Sequence, residues 1–176
     1  TFNNKIKTFE NKEVFTELMK QLNLTKTNVL ASNMFIACDS TLEPLFKLME
    51  EKINNGVEIN LILERVFAIK YSKCFKRLKE IGVNVVYSNK MIKMKNRYVY
   101  HNKFWIFDEK TAMVYGANVL DNQVESDGFN NMFRDSGVKA EGPIVNQLIS
   151  DYLKIYKYLK GPQTEVISEI AKNNKI

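Results

Sequence analysis

His101 is the chain's single histidine, and it opens the run His101-Asn102-Lys103-Phe104-Trp105-Ile106-Phe107-Asp108, with Gly116-Ala117-Asn118 ending ten residues past the aspartate. Imidazole is the side chain that titrates near neutrality. Alternation along a strand puts His101, Lys103, Trp105 and Phe107 on one face, so a nucleophilic ring and an ammonium stand together, a pairing suited to phosphate. If Glu109-Lys110 is a two-residue hairpin loop, Lys103 faces Gly116 and His101 faces Asn118. Gly116 then leaves room for a ligand oxygen.

Such a site fits attack on a phosphodiester. The imidazole forms a phosphohistidine that divides one hard displacement into two easier ones. Lys103 and Asn118 hold the non-bridging oxygens, an arrangement worth roughly 3 kcal/mol per preorganised donor. A general acid must also protonate the leaving oxygen; a second histidine would suit, and the chain has none. A strand histidine by itself is ordinarily a hydrogen-bonded core residue, and the full spacing is what argues for chemistry here. Trp105, Tyr98 and Tyr100 read as packing rather than as a base-stacking platform.

The elements that must position these residues alternate along the chain. Residues 11–24 carry Val14, Phe15, Leu18, Met19 and Leu22 at helical spacing. A strand follows over 28–37, then a helix with its N-cap in Asp39-Ser40-Thr41, ending at Asn55-Gly56. Residues 57–63 read as a buried strand, 68–81 as a helix with Gly82 at its C-cap, and 83–87 as a strand. Residues 97–107 and 111–118 form an antiparallel pair, 132–141 a further strand, and Gly142-Pro143 starts a helix reaching about residue 160. Alternation of this kind predicts one layered α/β domain over 1–160, with 161–176 as a peripheral polar tail.

Composition narrows the class. The chain has 176 residues, 45% hydrophobic and 26% charged, which suits one domain with a sizeable core and excludes a disordered chain. No apolar run approaches the roughly 20 residues that span a bilayer. The first residue is Thr1 and no signal-peptide pattern follows, so a processed or truncated piece is expected. Cys38 and Cys74 match no metal-ligand spacing and read as reduced thiols, with no disulfide implied. The net charge of +6 is unevenly spread. Arg65, Lys70, Lys73, Lys76, Arg77 and Lys79, then Lys90, Lys93, Lys95, Arg97 and Lys103, face only Glu80 over the same stretch. Charge focused on the approach to His101 attracts an anionic substrate. Met91, Ile92 and Met94 among the lysines suit a lipid headgroup layer or a groove lining. Charge supports at most a peripheral membrane association for this chain, through Lys90, Lys93, Lys95 and Arg97.

His101-x-Lys103-x4-Asp108 followed by Gly116-Ala117-Asn118 resembles the HKD motif of the phospholipase D superfamily. The stretch from Asn131 through Arg134, Asp135, Gly142 and Pro143 to Val145 is similar to the segment after the first motif in bacterial cardiolipin synthase-like phospholipases D. Tyr115-Gly116-Ala117-Asn118 departs from the commoner Gly-Ser-x-Asn and removes a hydroxyl that helps some members grip phosphate. The resemblance implies a phospholipase D-like α-β-α sandwich, a mixed β-sheet flanked by helices. It implies His101 as nucleophile or general acid, Lys103 and Asn118 as phosphate binders beside Gly116, Asp108 as the third motif residue and a buried anion at the strand end, and Asp135 as an orienter of histidine. No metal and no cofactor are implied. Family sites use two motifs, so one motif is half a site, completed by a homodimer or by a second half. Three functions follow as expectations: a phosphodiesterase that cleaves or transfers a phosphatidyl group; a metal-independent nuclease on DNA or RNA; or a non-catalytic membrane- or nucleic-acid-binding module.

Overall fold

The computed structural model describes residues 3–88, 100–119 and 134–175. Their centre is a seven-stranded mixed sheet: β1 (Lys5–Glu10), β2 (Asn28–Asn33), β3 (Glu58–Leu63), β4 (Asn84–Tyr87), β5 (Phe104–Phe107), β6 (Thr111–Tyr115) and β7 (Ser136–Glu141), in the spatial order β1-β7-β6-β5-β2-β3-β4. β2, β3 and β4 are parallel, and the other pairings are antiparallel. Three helices, α1 (Lys12–Leu24), α2 (Glu43–Asn54) and α3 (Ser72–Glu80), cover one face, and α4 (Pro143–Tyr158) and α5 (Glu165–Asn173) cover the other. This is the expected α-β-α sandwich.

Period-two alternation divides each central strand between two cores. Ala31, Leu61, Trp105, Phe107 and Met113 pack with Leu18, Leu22, Phe46 and Phe75 of the first helical layer. Leu30, Ile62, Phe104, Ile106 and Ala112 pack with Ile149, Tyr152 and Tyr156 of the second. Strands buried on both faces read as continuous apolar runs, as β5 does. The helices obey local rules: Asp39 accepts from Leu42 N at 3.2 Å before α2, Pro44 enters the first turn, and Gly82, at φ +96°, ends α3 where a side chain would be strained.

Three expectations are corrected, and one strand, β1, had no expectation. The residues after Gly161 are no peripheral tail: Thr164 caps α5, accepting from Ile167 N and donating to Glu58 Oε1 at 2.7 Å, and Ile167 and Ile170 are buried. Two apolar residues three apart make one inward helix face even in a polar segment. β1, with mostly exposed side chains, has too weak a pattern to be read and pairs with β7 through its backbone. The region expected as one helix over 68–81 is a 3₁₀ turn at Arg65–Ala68 followed by the shorter α3. Cys38 and Cys74 are joined in a disulfide, because the loop after β2 and α3 bring their Cα atoms to 5.2 Å.

The β5–β6 register is also one residue away from expectation. Phe104 pairs with Val114 and Phe107 with Thr111, so Asp108, Glu109 and Lys110 make the connection. Asp108 and Glu109 both take positive φ, and Lys110 N donates to Phe107 O at 3.0 Å. What holds Asp108 there is β2's approach: its carboxylate accepts from Lys26 N, Thr27 N, Thr27 Oγ1 and Asn28 N at 2.8–3.2 Å, and its own N donates to Asn28 O at 3.0 Å. Burial alone would raise this carboxyl, but the donors on Thr27, Lys26 and Asn28 hold it below its ordinary value of 3.8. The stabilisation is therefore complete above that value and is lost as the pH falls through the lower folded-state one. Asp108→Asn is expected to lower unfolding free energy by about 1–3 kcal/mol at neutral pH. Urea titrations from pH 7 down to pH 2 should show the gap to wild type closing as the wild-type carboxylate protonates.

Candidate active site

Chain direction gathers His101, Lys103 and Gly116-Ala117-Asn118 at one end of the sheet. β2, β3 and β4 finish there at Asn33, Leu63 and Tyr87, β6 finishes there at Tyr115, and β5 and β7 start there. The carboxyl ends of parallel strands are where ligands bind in open α/β sheets. Residues 101–103 lead into β5 and lie before its first strand residue, Phe104. Asp108 is at the other end of β5, roughly 20 Å away at strand rise, so its part is structural and it does not belong to the site.

Lys103 lies on the face of the first core and is 4% exposed. Its ammonium reaches the ring of exposed His101, 3.1 Å from Nε2 and 3.3 Å from Nδ1, and lies 3.4 Å from the His101 carbonyl. An ammonium can only donate, so the ring nitrogen it meets accepts. Burial lowers the Lys103 pKa below its ordinary 10.5, and the charge of Asp135 pulls it back up. Asp135 Oδ2 accepts from Ala117 N, and its backbone exchanges hydrogen bonds with Asn11, at 2.9 and 3.1 Å. Among the described residues Asp135 makes no hydrogen bond to His101; it holds the Gly116-Ala117 backbone and counters Lys103.

The space beside Gly116 is taken. A Cβ there would come 2.3 Å from Asp135 Oδ1, so the glycine admits the carboxylate and not a ligand oxygen. The register slip also sets Lys103 opposite Tyr115, whose N donates to Lys103 O at 3.1 Å. Asn118 is half-buried one residue before Val119, which forms a parallel bridge with Ile36. Trp105 is fully buried packing, as expected. Tyr98, Lys90, Lys93, Lys95 and Arg97 lie outside the described residues.

Two residues of this end escape a reading by motif. Asn33, fully buried, accepts from Trp105 Nε1 at 2.6 Å and Tyr115 OH at 3.2 Å, tying three strand ends together. Glu64, also fully buried, accepts from Ser88 Oγ at 2.6 Å and from Tyr100 N at 2.7 Å. Ser32 Oγ meets Asn102 O at 3.4 Å. Hydrogen bonds on both sides of His101 therefore fix its backbone to β2 and β3. The available signal was polarity at the end of apolar strands, Ser32-Asn33 after Leu30-Ala31 and Glu64 after Leu63.

Residues 18–156 match the family model described as "Cardiolipin synthase, PLD-like domain". The chain belongs to that family. Its similarity to the probable cardiolipin synthase YwiE of Bacillus subtilis is 24% identity over 89% of this chain and 32% of the relative. The chain thus spans about a third of the length of the curated relatives it matches. Among solved structures, Nuc of Salmonella typhimurium, a phospholipase D family member, superposes at TM-score 0.69 with 12% identity, over 88% of this chain and 95% of that one. Phosphatidylserine synthase of Haemophilus influenzae superposes at 0.67 with 10% identity, over 97% of this chain and 45% of the other. At those identities the likeness is one of fold.

Glu64→Ala is expected to lower stability by about 1–3 kcal/mol and kcat by up to about 100-fold through a displaced His101, with KM little changed. Glu64→Gln, which keeps an acceptor, should recover part of both. Thermal denaturation and turnover of a chromogenic phosphodiester check this.

Proposed function

We propose that the chain is a phospholipase D-type phosphodiesterase that cleaves or transfers a phosphatidyl group, with His101 as nucleophile. The observation that supports this reading most is the buried Lys103 ammonium 3.1 Å from the ring of exposed His101, in a chain of the cardiolipin synthase PLD-like family. A ring nitrogen of His101 attacks phosphorus, the P–N bond forms, and the bond to the leaving alkoxide breaks as that oxygen takes a proton. Water or an alcohol hydroxyl then attacks the same phosphorus, gives up its proton, and the P–N bond breaks. Lys103 and Asn118 hold the non-bridging oxygens throughout. Water gives hydrolysis, and a lipid hydroxyl gives transfer.

The proton for the leaving group needs a second acid. His101 is the only histidine of this sequence, so the acid comes from a second motif, in a homodimer or in a second half of a longer chain. Val114 and Val138 favour such a neighbour: they are paired in register at the site end of β6 and β7, on the sheet face that also carries Ala112, and both are exposed. Symmetric pairing of two copies would supply each site with the other's histidine.

In the presence of EDTA, phosphatidylglycerol vesicles should be cleaved by the dimer, and His101→Ala should lose at least about 1000-fold in rate, and Lys103→Ala about 100-fold or more. Mass by light scattering reports the assembly. Lipid cleavage retained by His101→Ala overturns the reading, and cleavage confined to labelled single-stranded DNA makes the chain a nuclease instead. Because Lys103 acts as a cation and its folded-state pKa is lowered, kcat/KM should fall as the pH rises through a value below 10.5. A pH–rate profile with a soluble phosphodiester measures that limb.

A further inference from the structure

The first turn after β3 faces two ways. Within Arg65–Ala68 and the residues that follow it, Phe67 and Tyr71 turn inward onto Phe35, with ring centroids 4.8 and 4.6 Å from the Phe35 ring. The Cys38–Cys74 disulfide ties the loop after β2 to α3, the helix that follows this turn. Val66 and Ile69 turn outward and are 64% and 76% exposed. Val66 lies within the 3₁₀ turn and Ile69 is the residue that ends it, so three positions separate two exposed aliphatic chains, here called the knuckle. The core has its aromatic anchors without them, and their exposure has no packing reason.

Along the chain, charge from Arg65 to Lys79 is of one sign. No acidic residue lies between Arg65 and Lys79. Arg77 is paired with Glu43 and Lys76 with Glu80, while Lys70 and Lys73, next to Ile69 along the chain, are exposed. Exposed aliphatic side chains followed by exposed lysines suit an anionic lipid interface, whereas binding to single-stranded nucleic acid draws on aromatic stacking. The knuckle also stands at the site end of the sheet. Glu64 Oε1 accepts from Val66 N at 3.3 Å while its Oε2 holds Tyr100 N, one residue before His101.

We propose that Val66 and Ile69, with Lys70 and Lys73, form a docking surface for an anionic phospholipid bilayer, which seats the His101 end of the sheet against the headgroups. The proposal rests on the lipid reading of that site and adds how the site meets its substrate. Insertion of the two aliphatic chains supplies the apolar part of the affinity, and the lysines supply selectivity for anionic headgroups.

The test is cosedimentation of the full chain with vesicles of phosphatidylcholine, alone or mixed with phosphatidylglycerol, alongside turnover of water-soluble bis(p-nitrophenyl) phosphate. Wild type should prefer the mixed vesicles. Val66→Ser/Ile69→Ser should lower the partition coefficient about tenfold or more, and Lys70→Glu/Lys73→Glu at least about fivefold per lysine on the anionic vesicles only. The aliphatic variant should turn over the soluble diester as wild type does. Leu24→Ser, an exposed leucine near the opposite end of β2, should change nothing. Binding unaltered in the aliphatic variant, absent in wild type, or lost together with soluble turnover overturns the proposal. So does binding of single-stranded DNA that depends on the lysines while vesicles stay unbound. Vesicle binding that depends on the knuckle, in a chain that cleaves no lipid, upholds the docking surface and removes the catalytic reading alone.

Discussion

A lysine ammonium buried at the end of a central strand is the constraint around which this fold is arranged. Taking a cation out of water is costly unless it is paired and hydrogen-bonded, and Lys103 sits on the apolar face shared by Trp105 and Phe107. Its compensation comes from three places: the ring of His101, the His101 carbonyl and the charge of Asp135. Asp135 in turn is held by Ala117 N, admitted by the missing side chain of Gly116, and fastened through Asn11 to the start of α1. A residue change at any of these points acts on the ammonium, and through it on the imidazole.

The two ends of β5 illustrate a division of labour. At Asp108 the hairpin is fixed by a carboxylate that accepts from consecutive backbone amides, a local arrangement that stabilises the fold and leaves no group free for chemistry. At the other end the backbone on either side of His101 is held by Glu64 and Ser32, while the ring itself stays exposed. A fixed backbone with an exposed ring suits the nucleophilic part proposed for His101: little reorganisation on attack, and open access for phosphorus. Buried polar residues at the strand ends, Asn33 and Glu64, provide the rigidity, which is why they stand where an apolar side chain would otherwise fit.

Much of this was legible before any coordinates. The apolar periods over 11–24 and 57–63 correspond to α1 and β3, and the spacing from His101 to Asn118 marks the end of the sheet where the proposed site lies, because pattern and motif are local. The hairpin register was not, since it depends on Asp108 and Glu109 taking positive φ under the pull of Thr27 and Asn28, some 80 residues away in sequence. The same holds for Gly116, whose purpose is set by Asp135, and for the Cys38–Cys74 pair, whose 36-residue separation carries no signal. α5 was missed because two isoleucines in a polar stretch become a buried face only once Glu58 and Thr164 bring them to the sheet. Where several long-range contacts must agree, the chain shows the residues but not the partners.

The most direct test of covalent chemistry at His101 is to quench turnover of a phosphodiester in base, where a phosphoramidate survives, and to map the peptide that carries the added phosphoryl group by mass spectrometry. The account predicts the adduct on His101 and its loss in His101→Ala. Turnover that proceeds with no adduct on this residue would contradict it.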